Sequence, residues 1–230
     1  MRIWDVHPGY LNDRSLLGEH RELHGIVTIV SRGKSGYSRH PETLRWKGYG
    51  WALAVRHRIL RAEMALRGFS EKTPVRLRGN PGAWPQSYID VPARQFQLLQ
   101  DKYRGKPHGR IPLPANACTL WAQHKYSVLA REPRAYEEIG RRVARMGRGE
   151  CGEMARELSE WLRIRPEAGR LMNALQHMWG YVSHHAPGTV MDPPVMNAAV
   201  LLGEIQALAL RHRHEYLLAS TALSDLAVWV

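Results

Sequence analysis

The chain has 230 residues, with 33 lysines and arginines against 21 acids, a formal net charge of +12, and 44% hydrophobic residues. This is the composition of an ordinary folded protein and excludes a disordered or fibrous one. No apolar run reaches membrane-spanning length and MRIWDVHPGY lacks the apolar core of a signal peptide, so a cytoplasmic protein with no membrane partner is expected.

The charge is unevenly placed. Residues 1–111 hold 20 lysines and arginines against nine acids, or +11, while 112–230 hold 13 against 12, or +1. A positive field on one half draws polyanions, which makes nucleic acid the leading partner for that half. The two cysteines, Cys118 and Cys151, have no CxxC or Cys/His spacing that suggests zinc, and imply reduced thiols. The twelve histidines look scattered, and His184-His185 and His212 with His214 read as surface residues, not metal ligands.

In chain order, His7-Pro8-Gly9 reads as a turn, and Asn12 or Asp13 caps a helix running to about Ser31, where Arg32-Gly33-Lys34 ends it. At about 100° per residue, Leu16, His20, Leu23, Val27 and Val30 form its apolar stripe, leaving Arg21 and Glu22 facing outward beside Gly18 and Gly25. The two glycines cost helix stability and leave a smooth strip for a ligand backbone. Taken alone, such a face is more often a solvated surface carrying an ion pair.

Lys34 to His40 is a basic loop, and Pro41-Glu42 opens a second helix expected to continue to Arg67, with Gly68 as its stop. Thr73 to Pro92 holds four prolines and is a connector. A third helix, capped by Asp90, starts near Pro92 and runs towards Tyr103. The basic segment KYRGKPHGRIPLP follows as a linker and possible backbone-binding strip, and marks a boundary between domains of residues 1–111 and 112–230. From Asn116 onward the periodicity predicts five or six helices, broken at Pro133, Gly147 to Gly149, Pro166, Pro187 to Pro194 and Arg211 to His214. Within LMNALQHMWGYV, His177 reads as a core histidine, and the terminal AVWV as a segment packing back on the fold.

With Arg2-Ile3 and Glu19-His20-Arg21-Glu22-Leu23 set side by side, residues 1–106 resemble the pyrimidine-dimer DNA glycosylases of the endonuclease V type. Gly33-Lys34, Leu66-Arg67-Gly68-Phe69 and Tyr88-Ile89 extend the likeness in the same order. The resemblance implies a mainly α fold, with an endonuclease V-like three-helix N-terminal domain and a C-terminal helical bundle. It implies base excision on double-stranded DNA containing damaged pyrimidines or abasic sites, with no metal or other cofactor. The chain-start amine, at Met1, is the implied nucleophile, which suits an α-amine, whose pKa of about 7.7–8.0 lies far below lysine's value of about 10.4. Attack on the sugar C1′ expels the base, and the resulting imine allows β-elimination, with Glu22 handling protons. Arg2 and Arg21 would hold phosphates, with Lys34, Arg39 and Arg45 as further DNA-binding cations and His7, His20 and His24 as accessory candidates. Gly25 and Ser15 stand where the family pattern has an arginine and a histidine, so phosphate contacts are rearranged.

Residues His124-Lys125-Tyr126 and Asn173 to Tyr181 resemble an uncharacterised YbgA-like bacterial domain, which carries no recognisable catalytic constellation. Alternatives to dimer excision are a glycosylase/AP lyase for another damaged base, a non-enzymatic nucleic-acid binder, and an RNA-directed or nucleotide-processing protein.

Overall fold

In a computed structural model, the described residues, 1–146, 149, 151–186 and 197–230, are helical with no strand among them. The expected breaks at Gly147 and over Pro187 to Pro194 lie outside them. Helix α1 spans Asp13–Arg32. The Asn12 side chain accepts the Ser15 amide at 2.9 Å at its start, and Gly33, at φ 61°, closes its end by donating to the Ile29 carbonyl at 3.0 Å. Its buried side is Ser15, Leu16, Glu19, Leu23 and Ile26, so the apolar stripe is rotated from the one expected through His20, Val27 and Val30. A buried charge at Glu19 is what the sequence pattern could not anticipate.

The expected second helix is two helices, α2 (Pro41–Trp46) and α3 (Gly50–Leu66). The backbone turns at Gly48, where φ is 89°, a value that side-chain-bearing residues resist. Trp51 then bonds its amide to the Gly79 carbonyl at 3.1 Å. The turn brings Arg45 and Trp46 inward, where both donate to Glu42 Oε1. Helix α4 spans Pro92–Lys102, and Asp90 does not cap it: that carboxylate pairs with Arg2 at 2.5 Å. The prolines of the connector between α3 and α4 leave it without a helix.

The C-terminal part holds α5 (Ala117–Leu129), α6 (Pro133–Met146), α7 (Gly152–Trp161), α8 (Ala168–Trp179) and α9 (Ala198–Arg211), then one-turn helices α10 (Glu215–Leu218) and α11 (Ala222–Asp225). His177, expected in the core, is exposed on α8, because the buried side of that helix is Leu171, Ala174, Leu175 and Met178. The chain end does fold back: Leu226 is buried and Trp229 lies under the Arg58 guanidinium at 5.9 Å.

One hydrophobic cluster gathers Ile3, Tyr10, Leu16, Leu23, Leu60 and Leu99 and continues past Ile111 to Leu120, Val128 and Leu158. A second lies between α8, α9 and α11, around Leu175, Ile205 and Leu223. Gly109 is where the linker crosses the N-terminal turn: a Cβ there would meet the Gly9 carbonyl oxygen at 2.5 Å. Polar ties reinforce this packing, including Tyr10 Oη to Gln123 at 2.8 Å and the Arg163–Asp5 ion pair at 2.9 Å.

Candidate active site

The first residues form an extended segment whose backbone groups are held by buried side chains from three helices. Arg45 donates to the Ile3 carbonyl at 3.0 Å, Arg56 to the Val6 carbonyl at 3.1 Å, and Gln95 Oε1 accepts the Asp5 amide at 2.8 Å. Asp5 itself pairs with Arg45 and Arg163, each at 2.9 Å. Such saturation of a non-helical segment satisfies backbone groups that burial would otherwise penalise, and leaves residues 2–7 one position relative to α1.

That position sets the Arg2 backbone amide on the Glu22 carboxylate, to which it donates a hydrogen bond. The Met1 α-nitrogen, three covalent bonds from that amide nitrogen, therefore lies within roughly 6 Å of the carboxylate. Arg2 and Glu22 share an open cleft of about 610 Å³ with Trp4, Gly18, Glu19, Tyr103 and Lys106 among its walls. Arg14, Lys102 and Lys106 are exposed cations on its lining, and Arg2 is held over the Trp4 ring at 4.8 Å. A carboxylate and several cations lining one cleft suit an anionic ligand whose chemistry passes through positive charge.

Glu19, one turn before Glu22, is a different group. Arg56 grips both its oxygens, at 2.7 and 2.9 Å. Burial pushes its carboxyl up, against the pull of Arg56. Tyr103 is fixed by its hydroxyl, which accepts the Asn12 amide at 3.0 Å.

The other residues singled out from sequence are dispersed. Arg21 is exposed on α1, outside the cleft lining. Lys34 lines a separate, shallower concavity with Gly25, Thr28 and Tyr37, and Arg39 is exposed beyond it. Arg45, expected on a DNA-binding surface, is buried and held by Asp5 and Glu42, because its guanidinium satisfies the backbone of the N-terminal segment. His7 is buried too: its Nδ1 accepts the Gly9 amide at 3.0 Å, and burial drives its imidazole well below the usual range. His20 and His24 lie on the side of α1 away from Glu22 and meet His57 and Glu71. Arg14, Lys102, Tyr103 and Lys106 line the cleft but were passed over by the motif comparison, although the basic segment that begins at Lys102 contains the last three.

Residues 1–77 match the family model described as pyrimidine dimer DNA glycosylase, and residues 125–190 match one described as a protein of unknown function (DUF1722). The chain joins a segment of each. No curated protein and no solved structure matches it. The segment matched to the glycosylase model contains Met1, Arg2 and Glu22 but stops short of Lys102, Tyr103 and Lys106, which complete the cleft from beyond the matched residues. The match to the family of unknown function includes Lys125 and Tyr126 on α5 and runs through α8. No helix among the described residues is long and apolar enough to cross a membrane.

Proposed function

We propose that the protein is a DNA base-excision enzyme for damaged pyrimidines, pyrimidine dimers first among them, which combines glycosylase and AP lyase steps at the cleft beside Glu22. The observation that carries the reading is the hydrogen bond from the Arg2 amide to Glu22, which keeps the chain start beside a carboxylate in a cation-lined cleft. The family match supports the glycosylase part of this reading.

In this reading the neutral Met1 amine forms an N–C1′ bond while the electron pair of the glycosidic bond departs with the base. Loss of the amine proton and opening of the sugar ring give an imine, which makes the C2′ proton acidic. Removal of that proton expels the 3′ phosphate and cleaves the strand. Glu22 stabilises the cationic sugar and iminium and relays the protons, a role worth roughly 10²–10⁴ in rate. Arg2, Arg14, Lys102 and Lys106 hold the phosphates flanking the lesion. The duplex must kink and expose the lesion for C1′ to reach the amine.

Borohydride reduction tests the reading. Incubation with dimer-containing or abasic duplex is expected to yield a covalent protein–DNA adduct whose mass maps to Met1, and acetylating the α-amine should abolish it. Tight DNA binding with no adduct would identify a non-enzymatic binder, and an adduct only with abasic DNA would identify a lyase lacking the dimer-excising step.

A further inference from the structure

On the face of α1 opposite the cleft, three histidines and a glutamate from three chain segments converge. His20 and His24 come from successive turns of α1, His57 from α3, and Glu71 from the connector after it. One ligand atom from each lies within 4.8 Å of the other three. The closest pair is His20 Nε2 and His24 Nε2 at 3.2 Å. Glu71 Oε1 is 3.9 Å from each of these nitrogens, and Glu71 Oε2 is 4.0 Å from His57 Nε2.

A second observation points into the same space. His57 is buried, and its Nε2 has no hydrogen-bond partner among the described residues. An orphaned imidazole nitrogen facing two other imidazoles and a carboxylate is costly unless something occupies the centre.

We propose that His20, His24, His57 and Glu71 form a four-ligand site for a structural zinc ion. Three imidazoles and one carboxylate are a donor set zinc accepts, and tetrahedral ligands at zinc distances stand ~3.3 Å apart, so side-chain rotations that draw the widest-spaced atoms together by up to ~1.5 Å would complete the site. All four positions are filled by protein, which leaves no open coordination site for a substrate. The ion would pin the connector beyond Gly68 to α1 and α3. It thereby fixes the helix that carries Glu22 without touching the reaction, and it is independent of the glycosylase reading.

The test is metal binding by the untagged full chain, stripped with chelator and titrated with Zn²⁺ against a competing chromophoric chelator. One zinc per chain is expected, with a rise in melting temperature of roughly 5–10 °C. Co²⁺ in its place should give the intense visible bands of a four-coordinate ion. His57→Ala and His24→Ala should each weaken binding at least ~100-fold. Glu71→Gln keeps shape and hydrogen bonding and should also weaken it, which covers the case in which an alanine variant fails to fold. His212→Ala, which alters the separate stacked pair of His185 and His212 at 4.0 Å, should leave binding unchanged. Sub-stoichiometric zinc, a six-coordinate Co²⁺ spectrum, binding unaffected by His57→Ala and Glu71→Gln, or binding lost with His212→Ala would each overturn the proposal.

Discussion

Glu63 on α3 is enclosed by Arg110 and Arg67, at 2.6 and 2.7 Å, and by the Ser224 hydroxyl at 2.7 Å, whereas Glu22 on α1 receives the Arg2 amide and opens onto a cleft. Burial alone would push the Glu63 carboxyl up, but Arg110, with its hydrogen bond, and Arg67 outweigh it and hold the group far below the usual carboxylate range. Arg110 also donates to the carbonyls of Leu218 and Ser220, so the network binds α3, the linker and the C-terminal turns into one body. A saturated carboxylate of this kind holds a fold together and has no lone pair left for a ligand. Glu22 forms no ion pair among the described residues, which leaves its charge available to a bound molecule. The same side chain thus serves architecture or chemistry according to how many donors surround it.

The sharpest way to break this comparison is to exchange each glutamate for its amide. Glu22→Gln is expected to lower strand cleavage of a dimer-containing duplex by roughly 10³-fold, with DNA binding within a few-fold and an unchanged melting temperature. Cleavage that survives the exchange would remove Glu22 from the chemistry. Glu63→Gln should do the reverse, costing roughly 3–5 kcal/mol in denaturant unfolding because Arg67 and Arg110 are left buried without their charge partner, while activity per folded molecule is retained.

A third test concerns pH. His124 is fully buried beside Tyr10, and burial lowers it from 6.5 to about 4, with only its hydrogen bond to the Leu120 carbonyl pulling the other way. A histidine whose folded value is depressed stabilises the fold in its neutral form. Its contribution is complete above about pH 6.5 and is lost as pH falls towards 4, a swing of about 3 kcal/mol. Unfolding free energy measured from pH 7 to 4.5 should therefore fall less steeply in His124→Gln, and an unchanged slope would assign the acid sensitivity to other groups. The smallest effect is expected at the cleft rim: Lys102→Ala and Lys106→Ala should each reduce the salt dependence of DNA binding by about one unit of slope, with stability unaltered.

Much of the helical framework was legible because its signals are local. The Asn12 cap, the Gly33 stop and the proline-marked start of α4 each act within a few residues of themselves. The pairing of Arg2 with Glu22 was approachable from motif order, and the geometry brings the two together. Less was readable where a charged side chain has a choice of partners. Arg45 and Asp90 looked like a surface cation and a helix cap, and they are a strut beneath the extended N-terminal segment and the partner of Arg2. His20 and His24, four residues apart on one helix, hinted at a shared face, but nothing near them named His57 or Glu71.

By itself the sequence determined that this is a basic, helical chain with a glycosylase-type opening, since composition, capping residues and motif spacing are properties of neighbouring positions. Only the tertiary structure decided which carboxylates are sealed and which is open, and which histidines meet. Burial and charge pairing depend on segments that lie 20 to 161 residues apart along the chain, as in Arg2–Glu22 and Glu63–Ser224, and come together only when the core closes.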